Sequence, residues 1–172
     1  MRTLVVTEFV SLDGVVEAPG GEPTHPQTGW TVPHGTPELY EYKLRETMEA
    51  ESLLLGRVTY EGFAAAWPER EGAFADKMNA MPKDVATTTL TELAWNARPL
   101  SGDVAGAVAE LKKGDGGPIL FAGSATLRLL VYPVAIGGGK RIFPDDRAKI
   151  DLRLDDLVRY DSGVLLQVYR AV

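Results

Sequence analysis

The chain has 172 residues, of which 45% are hydrophobic and 24% are charged, a composition typical of one soluble globular domain. Acidic residues outnumber basic ones by 24 to 18, and the resulting net charge of −6 argues against nucleic acid or an anionic membrane as a partner. There is no cysteine, so disulfides, zinc–thiolate sites and thiol catalysis are excluded within this chain. Only two histidines occur and no apolar run could span a bilayer, so we expect no metal site, no membrane span and a cytoplasmic location.

The first residues predict a central strand followed by a long loop. Residues 3–10 are rich in β-branched side chains and predict the first strand. Asp13 and Gly14 then form a strong turn signal, and acidic residues interrupt the apolar run, so we expect no secretory signal. Residues 18–35 are dense in Gly, Pro and Thr and predict a functional or mobile loop, in which Trp30 either lines a pocket or anchors the loop.

A helix is predicted to begin at Pro37, because Thr36 suits the N-cap and Glu38 suits the first turn. Apolar side chains then recur at four-residue spacing and predict the stripe that faces the core, formed by Tyr40, Leu44 and Met48.

Residues 52–63, SLLLGRVTYEGF, contain the most informative turn of the chain. Three leucines predict a short buried strand that ends at Gly56, and a helical pattern begins at Tyr60. A strand that leads through glycine to a helix N-terminus presents backbone N–H groups and the positive end of the helix dipole. With the guanidinium of Arg57 beside it, this turn suits a phosphate group. A tight turn with a solvated arginine explains the same residues.

Two later strands are also predicted to end in small polar residues. Residues 84–90 finish in three threonines, whose hydroxyls suit a ribose or phosphate or else reflect β-propensity. Ser101 or Asp103 is predicted to cap the next helix. Residues 119–122 predict a buried parallel strand, and small residues at 123–126 would let a phosphate approach the backbone closely.

The C-terminal third predicts a strand at residues 129–136 and a hairpin formed by residues 152–160 and 164–169. The segment GGGK at residues 137–140 is not a P-loop, because the leading glycine and the following Ser or Thr are missing, and it predicts a flexible turn with a basic flank. Strands that alternate with helices before a hairpin predict an α/β fold. We expect a mostly parallel mixed sheet flanked by helices, with a C-terminal antiparallel hairpin, in a single domain over residues 1–172.

One spacing conflicts with a simple parallel sheet. Only a few residues separate the strands at 119–122 and 129–136, whereas a parallel crossover needs a dozen or more. Either these strands are not parallel neighbours, or a helix is missing from the chain.

The ordered motifs SLDG, LLLGRVTYEGF, PKDVATTTL, ILFAGSATL and VYPVAIGGGKRIFP resemble the dihydrofolate-reductase-like superfamily. Within it, the chain is most similar to the C-terminal reductase domain of bifunctional riboflavin-biosynthesis deaminase/reductases and to the stand-alone bacterial relatives of that domain. The resemblance covers nearly the whole chain. It implies NADPH as the cofactor and a homodimer as the assembly.

The resemblance also implies roles for single residues. Gly56, Arg57 and Thr59 match the turn that holds the cofactor phosphates. Arg57, with Thr88 and Thr89, would face the adenosine ribose and its 2′-phosphate, which implies a preference for NADPH over NADH. The pyrophosphate-binding turn is matched by Gly123, Ser124, Ala125 and Thr126.

Two carboxylates are the candidate catalytic residues. Asp13, with Gly14, matches the loop beside the nicotinamide and the substrate, and Glu38 lies behind it; both also suit purely structural roles, in a turn and in a first helical turn. The family carries a helix after the turn at residues 123–126, and this chain lacks it. The region of Glu38 and Glu41 gives no one-to-one match to the acid that protonates the pterin in dihydrofolate reductases, so folate reduction is not expected.

The resemblance therefore implies an NADPH-dependent oxidoreductase, similar to 5-amino-6-(5-phosphoribosylamino)uracil reductase or dihydrofolate reductase, that reduces a small heterocyclic or carbonyl substrate by hydride transfer. A phosphorylated substrate would need a second basic site, for which Lys140 and Arg141 are candidates, with solvated surface charge as the alternative. The competing hypothesis is a non-catalytic protein that binds a nucleotide or small molecule on the same fold. A structural dimerisation domain is the third.

Overall fold

The computed structural model of the protein describes residues 1–100, 102–121, 126–143 and 149–172. Its elements follow in the order β1 (Leu4–Ser11), α1 (Pro37–Glu49), β2 (Ser52–Gly56), α2 (Arg57–Ala66), α3 (Ala73–Ala80), β3 (Lys83–Ala86), β4 (Ala97–Leu100), α4 (Val104–Lys113), β5 (Ile119–Phe121), β6 (Thr126–Tyr132), β7 (Leu152–Arg159) and β8 (Leu165–Ala171). A short 3-10 helix, Val32–His34, lies in the long loop before α1. Among the described residues no helix has both the length and the apolar character needed to cross a membrane.

In the part of the chain that the structure describes, the strands form an eight-stranded sheet in the order β4-β3-β2-β5-β1-β6-β8-β7. Pairing is parallel between β3 and β4, β2 and β3, and β2 and β5, and antiparallel among β6, β8 and β7. This mixed α/β sheet with a C-terminal antiparallel hairpin confirms the predicted fold class. The short link after β5 is also explained, because β1 lies between β5 and β6 in the sheet and the two strands are not neighbours.

The chain divides into two compact units: unit 1 is Met1–Val5 with Tyr42–Gly123, and unit 2 is Val6–Glu41 with Ser124–Val172. In unit 1, β2 is buried on both faces, as expected for an internal parallel strand. Leu53 and Leu55 belong to a cluster that includes Tyr60 of α2, whereas Leu54 belongs to a second cluster with Ile119 of β5. The aromatic rings of Tyr60 and Phe63 on α2 therefore pack against the core of this unit.

The antiparallel strands contribute buried side chains to the core of unit 2. Leu130 and Leu166 are opposite each other on β6 and β8 and are almost completely buried. Trp30 is buried in the same unit, with its ring 5.4 Å from that of Tyr132 and its indole N–H donating to the carbonyl of Glu17. These contacts support the interpretation of Trp30 as the anchor of the long loop.

The predicted start of α1 is confirmed, and its predicted core stripe is wrong. The Thr36 hydroxyl accepts the N–H of Leu39, as an N-cap should, but Tyr40 and Met48 are 55% and 43% exposed. The buried side of α1 is partly polar, because the carboxylate of Glu46 accepts the hydroxyl of Tyr42 and pairs with the ammonium of Lys43 at 2.5 Å. A prediction that uses only the spacing of apolar residues misses a buried carboxylate whose hydrogen bonds are satisfied inside the protein.

Candidate cofactor site

The turn between β2 and α2 belongs to unit 1 and has no connecting loop. β2 ends at Gly56, which is extended (φ −76°, ψ 157°) and serves as the N-cap of α2, so the helix begins at Arg57 and not at the predicted Tyr60. Arg57 and Thr59 therefore both lie in the first helical turn, where the backbone N–H groups have no partner within the helix. A helix N-terminus of this kind attracts anions.

The space beside Gly56 is open. A Cβ atom built on Gly56 would meet nothing within 4 Å, and the φ of this residue suits any side chain. Neither strain nor crowding in the protein itself therefore requires glycine here. A group that approaches the backbone closely from outside would require it.

Arg57 is half exposed at the same helix end, with 46% of its side chain accessible. Its Nη1 atom donates to both carboxylate oxygens of Glu61, one turn along α2, at 3.0 and 3.1 Å. An exposed pair between residues four apart on a helix contributes only about 0.3–0.5 kcal/mol, so a phosphate could replace Glu61 at little cost.

The threonine segment follows the neighbouring strand at the same edge of the sheet. β2 and β3 are parallel, with Gly56 opposite Ala86, so residue 87 leaves the sheet beside the start of α2. β3 ends at Ala86, and the prediction that the threonines belong to a strand at 84–90 is wrong. Instead, the buried hydroxyl of Thr87 accepts the N–H groups of Thr89 and Leu90 at 3.2 and 3.1 Å, which forms a turn.

This turn leaves Thr88 and Thr89 exposed. β-Propensity therefore does not explain the threonines, which favours the ligand interpretation. Unit 1 thus places five of the predicted cofactor-binding residues on one edge of its sheet: Gly56, Arg57, Thr59, Thr88 and Thr89.

The predicted pyrophosphate turn is only partly covered by the structure. Gly123, Ser124 and Ala125 lie outside the described residues. Thr126 is the first residue of β6 and is opposite Arg170 of β8. Four residues separate the end of β5 at Phe121 from the start of β6 at Thr126.

In unit 2, Asp13 joins two loops. Its carboxylate accepts the hydroxyl of Ser11 at 2.6 Å and the backbone N–H groups of Ile136 and Gly137 at about 3 Å. These hydrogen bonds, the Ser11 hydroxyl first, lower the pKa of Asp13 from 3.8 to about 2. The carboxylate is therefore ionised at neutral pH and fits the role of an acceptor better than that of a proton donor.

The basic flank of the glycine turn takes part in the same junction. The guanidinium of Arg141 donates to the carbonyls of Asp13 and Gly137, and the backbone N–H of Lys140 donates to Glu17 at 3.0 Å. Arg141 thus has a structural use, whereas Lys140 is exposed. Of the two candidates for a second basic site, Lys140 is the one whose ammonium is not used in this junction.

Glu38 is exposed in the first turn of α1. Its pKa is lowered by hydrogen bonding to its own backbone N–H and to the hydroxyl of Thr36, so this carboxylate is also ionised at neutral pH. Among the described residues no group of acidic or histidine side chains is arranged to hold a metal ion.

Comparison with known proteins identifies the family. The family model described as the RibD C-terminal domain matches residues 2–166. The protein belongs to this family. It is 24% identical over 186 residues to the uncharacterized protein YyaP of Bacillus subtilis strain 168, an alignment that covers 98% of this chain and 94% of that protein.

Solved structures give the same fold. A protein from Shewanella sp. PV-4 that is named for riboflavin biosynthesis superposes with a TM-score of 0.75 at 16% identity, and the match covers 99% of each chain. Dihydrofolate reductase from Enterococcus faecalis, complexed with NADP(H), gives a TM-score of 0.62 at 17% identity over 98% of this chain and 96% of that one. These likenesses confirm the dihydrofolate-reductase-like fold.

Two features of the structure were missed by sequence reasoning. Tyr132 is 4% exposed and lies among the rings of Phe9, Trp30 and His34, and burial raises its pKa to about 12. The aromatic side chains come from separate elements, so only their tertiary contacts reveal the cluster.

The second missed feature is a buried lysine in unit 1. Lys83 is 1% exposed, its Nζ atom donates to the carbonyls of Asn79 and Met81, and it lies 4.0 Å from the centre of the Trp95 ring. Burial lowers the pKa of Lys83 to about 8. No local sequence signal distinguishes this lysine from a solvated one.

Proposed function

We propose that the protein is an NADPH-dependent reductase that transfers hydride to a small heterocyclic or carbonyl substrate. The observation that carries this proposal is the edge of the sheet in unit 1, where the start of α2, Arg57 and the exposed threonines 88 and 89 follow adjacent parallel strands. Ligands of open α/β sheets bind at the carboxyl ends of the strands, which is where these residues lie. Membership of the family and the reductases of the same fold support the proposal.

The residues fit a dinucleotide with an extra phosphate. The first turn of α2 offers backbone N–H groups, and the open space beside Gly56 allows close approach of a phosphate. Arg57 would bind the 2′-phosphate with Thr88 and Thr89 as hydrogen-bond partners. The pyrophosphate would be held by residues 123–126. Bound in this way, NADPH would supply the hydride.

Reduction also needs a proton, and neither predicted catalytic carboxylate is suited to donate it. Asp13 has a pKa of about 2 and Glu38 has a pKa below its usual value, so both are ionised at neutral pH. We propose that they act as acceptors that orient the substrate or its loop and that water delivers the proton. A phosphorylated substrate, such as a ribosylaminopyrimidine phosphate, would use the exposed ammonium of Lys140.

The assembly and location follow from the same family argument. We propose a cytoplasmic homodimer whose ligands are the cofactor and a small-molecule substrate, with no nucleic-acid or membrane partner. The net charge of −6 supports the last part, because it disfavours polyanionic surfaces.

A second candidate function is a binding protein that does not transfer hydride. The observation that favours it is the protonation state of Asp13, since the expected polar participant cannot serve as an acid. This candidate predicts that NADPH binds and is not consumed with any heterocyclic or carbonyl substrate.

Titration of NADPH against tryptophan fluorescence tests the proposal, because the chain has three tryptophans and unit 1 contains Trp67 and Trp95. We expect saturable quenching in the micromolar range, about 1–100 µM. Folded protein that shows no saturable quenching would overturn the reductase proposal. Absorbance of bound NADPH, followed with candidate substrates, separates turnover from binding alone.

A further inference from the structure

Unit 1 contains a cleft at the end of its sheet opposite to the candidate cofactor site. β3 begins at Lys83, and its carboxyl end leads to the threonines of the cofactor site. The cleft lies instead at the amino ends of β3 and β4, where it is lined by Pro82, Lys83 and residues 93–98. Its volume is about 410 Å³, and small-molecule sites have volumes of about 300–1,000 Å³. We call this space the Trp95 cleft.

The aromatic wall of the Trp95 cleft is held in place from behind. The indole N–H of Trp95 donates to the side-chain carbonyl of Asn79 at 2.7 Å, and the Trp95 ring is edge-on to that of Phe63, with the ring centres 6.5 Å apart. The hydroxyl of Tyr60 accepts the backbone N–H of the preceding residue, Ala94, at 2.9 Å. A fixed aromatic ring that borders open space suits a flat apolar ring as its partner.

The backbone of this wall is strained. Trp95 and Asn96 have φ angles of 56° and 53°, in the left-handed region that residues other than glycine rarely adopt. Hydrogen bonds hold this conformation, since the Asn96 side chain donates to the carbonyl of Ala80 at 2.9 Å and the Asn96 carbonyl accepts the N–H of Lys83 at 3.0 Å. Strained residues that their surroundings hold in this way cluster at ligand sites.

The charged groups at the Trp95 cleft leave one positive charge without an anionic partner. The Nε atom of Arg98 donates to the buried carboxylate of Asp84 at 2.5 Å, so these two residues neutralise each other. The ammonium of Lys83 has two backbone carbonyls and the Trp95 ring around it, and it forms no ion pair with any described residue. Burial without a carboxylate partner is the reason that the pKa of Lys83 falls to about 8. A monoanion in the cleft would offset this charge.

Arg98 supplies the hydrogen-bond donors that an anion needs. Its side chain is 68% exposed, and Asp84 occupies only the Nε atom. The two Nη groups donate to no described residue, and no described residue that lines the Trp95 cleft is acidic. Two parallel N–H donors of one guanidinium match the two oxygens of a carboxylate.

We propose that the Trp95 cleft is a second ligand site, which binds a small aromatic carboxylate. The ring of the ligand lies against Trp95, and its carboxylate binds the Nη groups of Arg98, where the unpaired charge of Lys83 also attracts it. The volume of the cleft limits the ligand to a small molecule, and the single net positive charge selects a monoanion. The proposal does not depend on the cofactor, whose site lies at the carboxyl ends of the same strands.

Titration with benzoate, followed by NMR through the side-chain indole signals, tests the site. The chain has three tryptophans, so Trp30→Phe and Trp67→Phe assign the Trp95 signal by elimination. We expect benzoate to shift the Trp95 signal saturably, with a Kd of about 1 mM, and to leave the Trp30 signal unchanged. Benzamide has a similar shape and no charge and should bind at least about tenfold more weakly. No saturable shift at Trp95, or equal binding of benzoate and benzamide, would overturn the proposal.

Three variants test the assigned contacts. Arg98→Ala should weaken benzoate binding by about tenfold or more, because a charge-assisted contact is lost, and Lys83→Met by about threefold or more. The control Arg70→Ala removes another exposed arginine beside a tryptophan, 4.6 Å from the centre of the Trp67 ring, and should leave the Kd unchanged.

Benzoate affinity in Arg98→Ala equal to that of wild type contradicts the proposal. This result decides the matter even if Lys83→Met fails to fold, because Arg98 is exposed and Lys83 is buried. NADPH titration of the same samples shows separately whether the reductase proposal holds.

Discussion

At the scale of single residues, Asp13 shows how one side chain can join distant parts of the sequence. Its carboxylate is acceptor for a hydroxyl two residues away and for two backbone N–H groups more than 120 residues away. Ionised acceptors make stronger hydrogen bonds than neutral ones, so the charge on Asp13 stabilises the junction of the loops. The sequence indicated the turn at Asp13, but the partners at residues 136 and 137 depend on tertiary structure.

Asp13→Asn should destabilise the protein by about 1–2 kcal/mol at pH 7, because the amide turns an N–H group towards backbone donors. The pKa of Asp13 is lower in the folded protein, at about 2 against 3.8, so its stabilisation is present above pH 4 and is lost as the pH falls towards 2. Urea denaturation at pH 7 and pH 3 measures this, with Asp115→Asn as the surface control. The prediction is contradicted if the unfolding free energies of wild type and Asp13→Asn differ as much at pH 3 as at pH 7.

Lys83 gives a pH dependence of the same sign in the alkaline range. Its pKa in the folded protein is about 8 against 10.5, so between these values the unfolded chain binds more protons and stability rises with pH. The full shift corresponds to about 3 kcal/mol. We expect wild type to gain stability between pH 8 and 9.5 relative to Lys83→Met, measured by chemical denaturation. In the control Lys113→Met, which changes an exposed lysine, the unfolding free energy should depend on pH as it does in wild type. If the unfolding free energies of wild type and Lys83→Met change with pH in parallel, the effect is refuted.

At the scale of elements, the turn from β2 to α2 connects fold and proposed function. Buried leucines fix β2, and Gly56 ends it at the N-terminus of α2 without a connecting loop. A Cβ atom at Gly56 would meet no protein atom within 4 Å, so an alanine there tests contact with a ligand without crowding the protein. Gly62 is exposed within α2, and a Cβ atom built on it would also meet nothing within 4 Å, so it provides a matched comparison.

Gly56→Ala should weaken NADPH binding by about tenfold, since the added methyl occupies the space where a phosphate approaches the backbone. Gly62→Ala should leave binding unchanged and stabilise α2 by about 1 kcal/mol, because alanine has the higher helix propensity. Calorimetric titration and thermal unfolding measure both effects. Equal NADPH affinity in Gly56→Ala and Gly62→Ala would show that this turn does not contact the cofactor.

Elements with strong local signals could be predicted, and elements that depend on tertiary contacts could not. The N-cap at Asp103, the turn at Gly163 and the run of leucines in β2 each carry their own signal, and all are present. α3 has only eight residues and a glycine N-cap, and β4 contains a proline and lies at the edge of the sheet. Neither has the periodicity from which a helix or strand is predicted.

The same distinction applies to the candidate site: residues with a local sequence signal could be predicted, and their tertiary neighbours could not. Gly56 and Arg57 have a local signal because a strand, a glycine and a helix start follow one another in the sequence. That Thr88 and Thr89 lie in a turn beside them depends on the parallel pairing of β2 with β3, which no local pattern shows.

At the scale of the whole molecule, the chain passes between its two units three times, after Val5, Glu41 and Gly123. β1 itself contributes its first residues to unit 1 and the rest to unit 2. Neither unit is a continuous segment, so neither can be completed without the other part of the chain. This connectivity supports the proposal that residues 1–172 form a single domain.

A single domain should unfold in one cooperative transition. Trp30 reports on unit 2, whereas Trp67 and Trp95 report on unit 1. One Trp→Phe variant keeps tryptophan only in unit 2, and a second keeps it only in unit 1. For each variant, we expect the urea midpoint measured by fluorescence to equal the midpoint of its own circular dichroism curve. Two separated midpoints would show two independent domains.

We propose that Arg57 selects NADPH through its 2′-phosphate, and the ratio of the NADH to the NADPH dissociation constant measures this selection. Arg57→Ala should weaken NADPH binding by about 30-fold or more, because a charge-assisted contact is lost, and should change NADH binding by less than about threefold. Arg45→Ala, at an exposed arginine of α1, should change neither constant. Equal losses for NADPH and NADH in Arg57→Ala, or no loss for NADPH, would contradict the account.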